Sequence, residues 1–418
     1  MYSKEILQQT LSHKNPDRIP VDFGATSVTG IHCKVVNELR DYYGLPLKPV
    51  KIIEPYQMLG EIDDELLDIM GIDAIPVFGP NDLFGVVQSG FKEQMTPWGQ
   101  TILIAEKYDF TPDSLGNIYA YPEGDKKFAP SGIMPSSCYF FNAIERQSEI
   151  DESTLTAEDN LEEFGTILDD DLNYFENAVN KAALTGKSVV ASFGGTALGD
   201  VALIPGMNLK IPKGIRGVEE WYITTMLRQD FIHEIFDRQI TIAIENYKKL
   251  WQRVGNKVDV VYLCGADFGT QNSQFCSTET FNDLWLPHYR RMTDWIHQNT
   301  TWKVFKHSCG AILPLLPSMI EAGFDIINPV QINAKDMDSK LLKSEFGSDL
   351  TFWGGGVDTQ IILPSAKPAE VRDQVLRQCE ILGTNGGFVF SSVHNIQANV
   401  PVENVISMIN AVHEFNRD

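Results

Sequence analysis

"KVFKHSCGAILPLLPSMIEAGFDIINPVQ" (residues 303–331) packs three elements into one short stretch. "KVFKHSCG" reads as a short β-run that stops at Gly310. "AILPLLPSMIEAG" has helical spacing and ends at Gly323, the residue type a helix C-terminus favours. "FDIINPVQ" is a second β-rich run. Two strands joined through one helix run parallel, because an antiparallel pair would need only a hairpin. The stretch is therefore a β-α-β unit, and the fold turns on how often it recurs.

Outward from it, the same kind of run appears eight times. Upstream lie "RIPVDFGATS" (18–27), "DAIPVFGPND" (73–82), "SVVASFGGTALGD" (188–200) and "VDVVYLCGADFG" (258–269). Downstream lie "LTFWGGGVD" (350–358) and "GGFVFSSVHN" (386–395). The runs are nearly continuous in hydrophobicity, as strands covered on both faces are. Helical stretches separate most of them, among them a long tract over 217–253 broken near Asp230. There is no fixed repeat period. Eight β-then-α units predict an α/β protein, a (β/α)8 TIM barrel, with a doubly wound open sheet as the alternative.

The spacing is uneven after the second strand. Residues 85–125 alternate and carry turn pairs at Trp98-Gly99 and Gly116-Asn117, which predicts β-hairpins. Residues 85–150 are thus expected to be a β-hairpin-containing insertion on the rim of one barrel domain spanning 1–418. Residues 151–160 read as an acidic solvated loop and 161–186 as helix.

Composition bounds the function. The 418 residues carry a formal charge of −22, which disfavours nucleic acid and anionic membrane as partners. No run is long and apolar enough for a membrane span, and Met1–Glu5 does not begin a secretory leader, so a cytoplasmic location is expected. Six scattered cysteines fit free thiols or ligands in a reducing compartment. Neither Gly-x-Ser-x-Gly nor His-Glu-x-x-His occurs. "WGGGVD" (353–358) is no P-loop; it marks a tight turn where the backbone must approach something closely.

In a barrel of this kind the working face lies at the C-terminal strand ends. Those ends supply Asp22, Asp82, Asp200, Asp267, His307, Cys309 and His394. His307 and Cys309 are two apart, so in a strand both point into one space. An imidazole and a thiolate there suit zinc, with His394 as third ligand and Cys264 in reserve. Read alone, the pair favours an ordinary strand end; its place at a strand end, with His394 at another, puts the metal reading level with it. Asp267 is a rim carboxylate able to hold substrate, metal or a histidine, or else a turn residue. Gln271, Asn328 and Gln331 offer amides at the same rim and are expected substrate-binding residues.

The order of the pieces "RIPVDFG", "GADFGTQ", "KVFKHSCG…DIINPVQ", "WGGGVDTQ" and "HNIQANVPVEN" resembles the uroporphyrinogen decarboxylase superfamily over nearly the whole chain. Its decarboxylase branch grips propionates with an arginine-rich segment; here "VDFGATSVTG" (21–30) has no arginine. That branch also has a catalytic Asp near the place where this chain has Gly79-Pro80, with Asp82 displaced. The other branch comprises cobalamin-dependent methyltransferases such as methylcobalamin:coenzyme M methyltransferase. Their zinc is held by His-x-Cys and a later Cys; His307 and Cys309 match, and His394 stands at the third position. The resemblance implies a corrinoid-dependent methyltransferase with metal ligands His307, Cys309 and His394, and with Asp267, His307 and Cys309 as catalytic residues. It implies zinc in the chain, a corrinoid (cobalamin) on a partner protein, and a small methyl donor or acceptor, and leaves room for a homodimer. A decarboxylase and a non-catalytic corrinoid- or tetrapyrrole-binding barrel are the alternatives.

Overall fold

A computed structural model describes residues 3–417 of the chain, the Cys264 side chain excepted. All eight β-runs take their places around one (β/α)8 barrel. Seven form a single parallel sheet in chain order: Ala74–Val77, Ser188–Ala191, Val260–Cys264, Lys303–His307, Ile326–Asn328, Thr351–Trp353 and Phe388–Val389. Chain order along the whole sheet leaves no point where the order reverses, which disposes of the open doubly wound alternative.

The first run closes the ring with very little strand. Val21 bridges Phe390 in parallel; Asp22 N–H donates to Phe390 O at 2.9 Å and Phe390 N–H to Pro20 O at 2.8 Å. On its other side Asp73 N–H reaches Val21 O at 2.8 Å. Pro20 has no N–H to extend the ladder. The buried Asp73 carboxylate reinforces the seam. It accepts both terminal nitrogens of Arg18, at 2.7 and 2.6 Å, and Val21 N–H at 2.9 Å.

The period-2 rule sorts each strand between two cores. Val260 and Tyr262 point into the barrel, whereas Val261 and Leu263 face the helices. The interior is filled by Ala74, Val190, Phe305, Ile326, Trp353 and Val389, with Leu7 and Leu11 of the helix Ser3–Leu11 against them. That helix is held at the strands' N-terminal end by Gln8 and Lys4, which contact Asp259 at 2.9 and 3.0 Å. The opposite end is therefore the open one.

Among the helices, the 217–253 tract is Val218–Leu227 and Gln229–Val254, broken at Arg228. The helix expected over 161–186 is shorter, Asp169–Ala183. Its start falls where three acidic residues, Asp169, Asp170 and Asp171, complement the helix dipole. Residues 161–168 run as an irregular strap instead, pinned by Asn246 to Ile167 N and Gly165 O at 2.8 Å each.

Hairpins do form in 85–150. Lys92–Met95 pairs antiparallel with Thr101–Ile104 around Trp98-Gly99, and Ile118–Ala120, Gly132–Met134 and Asn142–Ala143 make a second small sheet. The sequence did not point to their partner. Val50–Glu54, from the first strand-to-helix excursion, runs parallel to Thr101–Ile104 and antiparallel to Leu59–Gly60. Two separate excursions thus build one rim sheet.

Candidate metal centre at the barrel mouth

His307 is the last residue of the fifth barrel strand, and Cys309 follows it by two. The strand ends where Ser308 N–H reaches Asn328 O at 2.7 Å and the Ser308 hydroxyl accepts Phe268 N–H at 2.9 Å. Cys309 then turns back over the mouth. Its Sγ lies 3.3 Å from His307 Nε2. His394 enters from the loop after the eighth strand, its ring centre 5.6 Å from that of His307 in an edge-on arrangement. One ligand atom from each of His307, Cys309 and His394 lies within 4.8 Å of the others. The sequence-predicted trio therefore converges. The side chain of Cys264, the reserve ligand, lies outside the described residues.

The histidine tautomer follows from its support. Asn328 Nδ2–H₂ donates to Trp353 O at 2.7 Å, which turns Asn328 Oδ1 toward His307 Nδ1 at 2.5 Å. Nδ1 must carry the proton, and Nε2 is left as a lone-pair donor facing Cys309. Burial holds His307 below its ordinary pKa against the pull of Asp267, and pushes His394 down to about 4. Burial, with Asp267 adding to it, holds the Cys309 thiol well above its ordinary range. Two neutral imidazoles are thus ready donors, and the thiol must release a proton to a cation that binds it. Two nitrogens and one sulfur at this separation are a donor set that fits zinc.

Asp267, from the loop after the fourth strand, completes the cluster. Its Oδ1 accepts Cys309 N–H at 2.7 Å and stands 3.6 Å from His307 Nε2. Lys306, wholly buried beneath, donates to Ala266 O and His307 O at 2.5 Å each and so ties the two loops together. Gly269 and Gly310 make the junction closer still. A Cβ on Gly269 would fall 2.6 Å from Cys309 O, and one on Gly310 would fall 2.3 Å from Gly269 C. Gly310 also has φ +90°, a conformation other residues rarely adopt. Ala311 N–H closes the joint on Thr270 O at 2.8 Å.

Gln271, Asn328 and Gln331 stand behind this centre and do not line the cavity above it. Gln331 accepts Gly310 N–H at 2.7 Å and donates to Gln271 Oε1 at 3.0 Å; Gln271 in turn donates to Asn333 O. Their amides are occupied in holding the metal-side loop. The Gly-rich turn 353–358 also approaches its own chain: a Cβ on Gly356 would lie 2.3 Å from the Phe390 ring.

The cavity at the mouth has a volume of about 1240 Å³ and is walled by His307, His394 and Asp267 on one side. Glu54, Tyr56, Asp200 and Tyr262 stand on others. Glu54 and Tyr56 come from the rim excursion, which the sequence reading did not reach. Asp200 was visible only as one strand-end carboxylate among several.

Residues 212–415 match the family model of uroporphyrinogen decarboxylase (URO-D). The match covers just under half of the chain, and that part is similar in sequence to the family. The URO-D match contains His307, Cys309, His394 and Asp267. Among solved structures, a methyltransferase from Methanosarcina mazei aligns over 99% of both chains at 14% identity, with a TM-score of 0.55. That likeness is one of fold. An endo-glycoceramidase II from Rhodococcus sp. aligns over 58% of this chain and 67% of its own, at 13% identity and a TM-score of 0.33. No curated protein matches the sequence.

Asn328→Ala removes the acceptor that fixes the His307 tautomer. Zinc affinity is expected to fall ~10–100-fold, the usual effect of losing such support, and a chelator-competition titration measures it.

Proposed function

We propose that this chain belongs to the URO-D family and is a zinc-dependent methyltransferase of a corrinoid methyl-transfer system. It moves a methyl group between a small O-, N- or S-methyl compound, or a thiol, and the cobalt of a corrinoid carried by a partner protein. The observation that carries the proposal is the convergence of His307, Cys309 and His394 at the open end of the barrel. His307 Nε2, Cys309 Sγ and an imidazole nitrogen of His394 would hold the metal. When bound, zinc would supply Lewis acidity at the heteroatom that loses or receives the methyl group. The chain's own groups do the rest. Asn328 sets the tautomer, Asp267 orders the Cys309 backbone, and the cavity takes the small substrate out of bulk water.

The wall chemistry disfavours the decarboxylase alternative. Glu54, Asp82, Asp200 and Asp267 line the cavity, and among the described residues no arginine does. Its lysines are Lys51 and Lys181, and Lys51 is paired with Glu61 at 3.0 Å. A substrate bearing several carboxylates would find no guanidinium there to pair with. Among the described residues no helix is long and apolar enough to cross a membrane. Cys33, Cys138, Cys276, Cys309 and Cys379 are free thiols, in keeping with a reducing cytoplasm.

Metal analysis with a spectroscopic assay tests the reading. The purified chain is expected to contain near-stoichiometric zinc, and to convert cob(I)alamin to methylcobalamin with a methyl donor in a chelator-sensitive way. A protein without zinc, whose Cys309→Ala variant behaves like the parent in both assays, would sink the proposal.

A further inference from the structure

We propose that Asp200 is the proton carrier of the reaction. Its carboxyl group gives a proton to the oxygen that loses the methyl group and takes it back when transfer runs the other way. This rests on the methyl-transfer reading above and adds a residue to it.

Asp200 stands after the third strand, on the cavity wall it shares with His307, His394 and Asp267. Its two oxygens do different things. Oδ1 accepts Ala202 N–H at 3.0 Å and opens the tight turn over 200–204. Oδ2 lies against the backbone of Gly265. A Cβ there would stand 2.7 Å from Asp200 Oδ2 and 2.5 Å from Tyr262 Oη. The bare glycine lets a carboxyl and a phenol converge at the end of the fourth strand, two residues before Asp267. Asp267 is otherwise engaged, through Cys309 N–H and beside His307. The His307 Nδ1 proton is committed to Asn328.

Electrostatics agree with the geometry. Burial pushes Asp200 up to about 6, the Ala202 N–H opposes that, Asp267 adds to it, and Lys306 opposes it. Tyr56 from the rim, Tyr222 from the helix Val218–Leu227, and Cys309 also sense its charge. A carboxyl group that titrates near neutrality is suited to general acid–base work.

The step balances. The O–CH₃ bond breaks heterolytically, and the methyl carbon joins the cobalt of the co-substrate cob(I)alamin, whose electron pair makes the new bond. The pair of the broken bond stays on oxygen, which takes the Asp200 proton and leaves as a neutral alcohol or phenol. A leaving group that is already a weak base needs that proton least.

The test uses the full-length zinc-containing protein, free cob(I)alamin, methanol, and a series of anisoles from 4-nitro to 4-methyl. Asp200→Asn keeps Oδ1 as the acceptor for Ala202 N–H, so zinc content and melting temperature are expected to match the parent. Its kcat is expected to fall ~100-fold or more with methanol and 4-methylanisole, within the usual range for a lost general acid. With 4-nitroanisole the loss is expected to be far smaller. In the parent, demethylation is expected to slow as pH rises through the Asp200 titration, since the acid form is the active one, and Asp200→Asn is expected to lack that limb. Equal losses across the whole series, or parent-like turnover of every ether, would overturn the role of Asp200 alone. A parent protein that transfers methyl from none of these donors would overturn the methyl-transfer reading, and this inference with it.

Discussion

Cys309→Ala is expected to give a folded barrel that has lost most of its zinc and its methyl-transfer activity. Cys309 is only partly buried and lies outside the apolar clusters, so the fold gains little from its sulfur. The contact that places this residue is its backbone N–H on Asp267, which alanine retains. Stability is therefore expected to change by about 1 kcal/mol or less, the range for substitutions that create neither a core cavity nor an unpaired buried group. The metal is affected differently. Cys309 is the one donor of the trio that becomes negative on binding, and two imidazoles remain without it. The fall in affinity should exceed the ~10–100-fold that loss of a supporting hydrogen bond causes. Chelator competition and thermal melting on the same sample separate the two quantities. A variant that melts as the parent does and keeps its zinc would remove Cys309 from the ligand set.

Asp73→Ala is expected to be the most destabilising single change at the barrel seam. Asp73 is 1% exposed and holds both Arg18 and the Val21 amide. Removing one partner of a buried pair typically costs ~3–5 kcal/mol. The Arg18 side chain is 28% exposed, so water recovers part of that loss. The Val21 N–H, by contrast, is left buried with its acceptor gone, which costs a further ~1–3 kcal/mol. A net loss of about 3 kcal/mol follows from these opposing effects. Urea unfolding measures it, and Asp73→Asn, which retains one acceptor oxygen, should lose less. A loss below ~1 kcal/mol, the level of an ordinary surface pair, would show that the ladder bonds alone close the seam.

The barrel was legible because each β-run carries its own signal, a short apolar stretch with a turn residue at its end. The His307–Cys309 pair was legible for a similar reason, since alternation along a strand is local. What escaped was long-range. "VKIIE" (50–54) stands outside the recurring β-then-α units, and its partner Thr101–Ile104 lies in another excursion. Asn328 and Gln331 showed an amide but not its direction, and both turned inward to hold the metal-side loop instead of lining the cavity. Lys306, a charge inside an apolar run, was a local signal the sequence reading passed over; it ties together the loops carrying Asp267 and His307. The expected helix over 161–186 begins late because Leu168 is extended and Asn246, far along the chain, holds the backbone at Gly165 and Ile167 as a strap.

The joint between Gly269 and Gly310 has a consequence for how the centre is filled. Backbone touches backbone there, with Lys306 fastened beneath, so Asp267 and Cys309 ride on what is mechanically a single piece. Their relative positions are fixed when the chain folds. The entropy of gathering these groups is lost at that stage and does not weigh against the ion later. Stripping and reloading should then be reversible under native conditions, with the ion adding to the melting temperature only by mass action. Variation in what the protein accepts would have to come from the other walls of the cavity, Glu54 and Tyr56 of the rim among them.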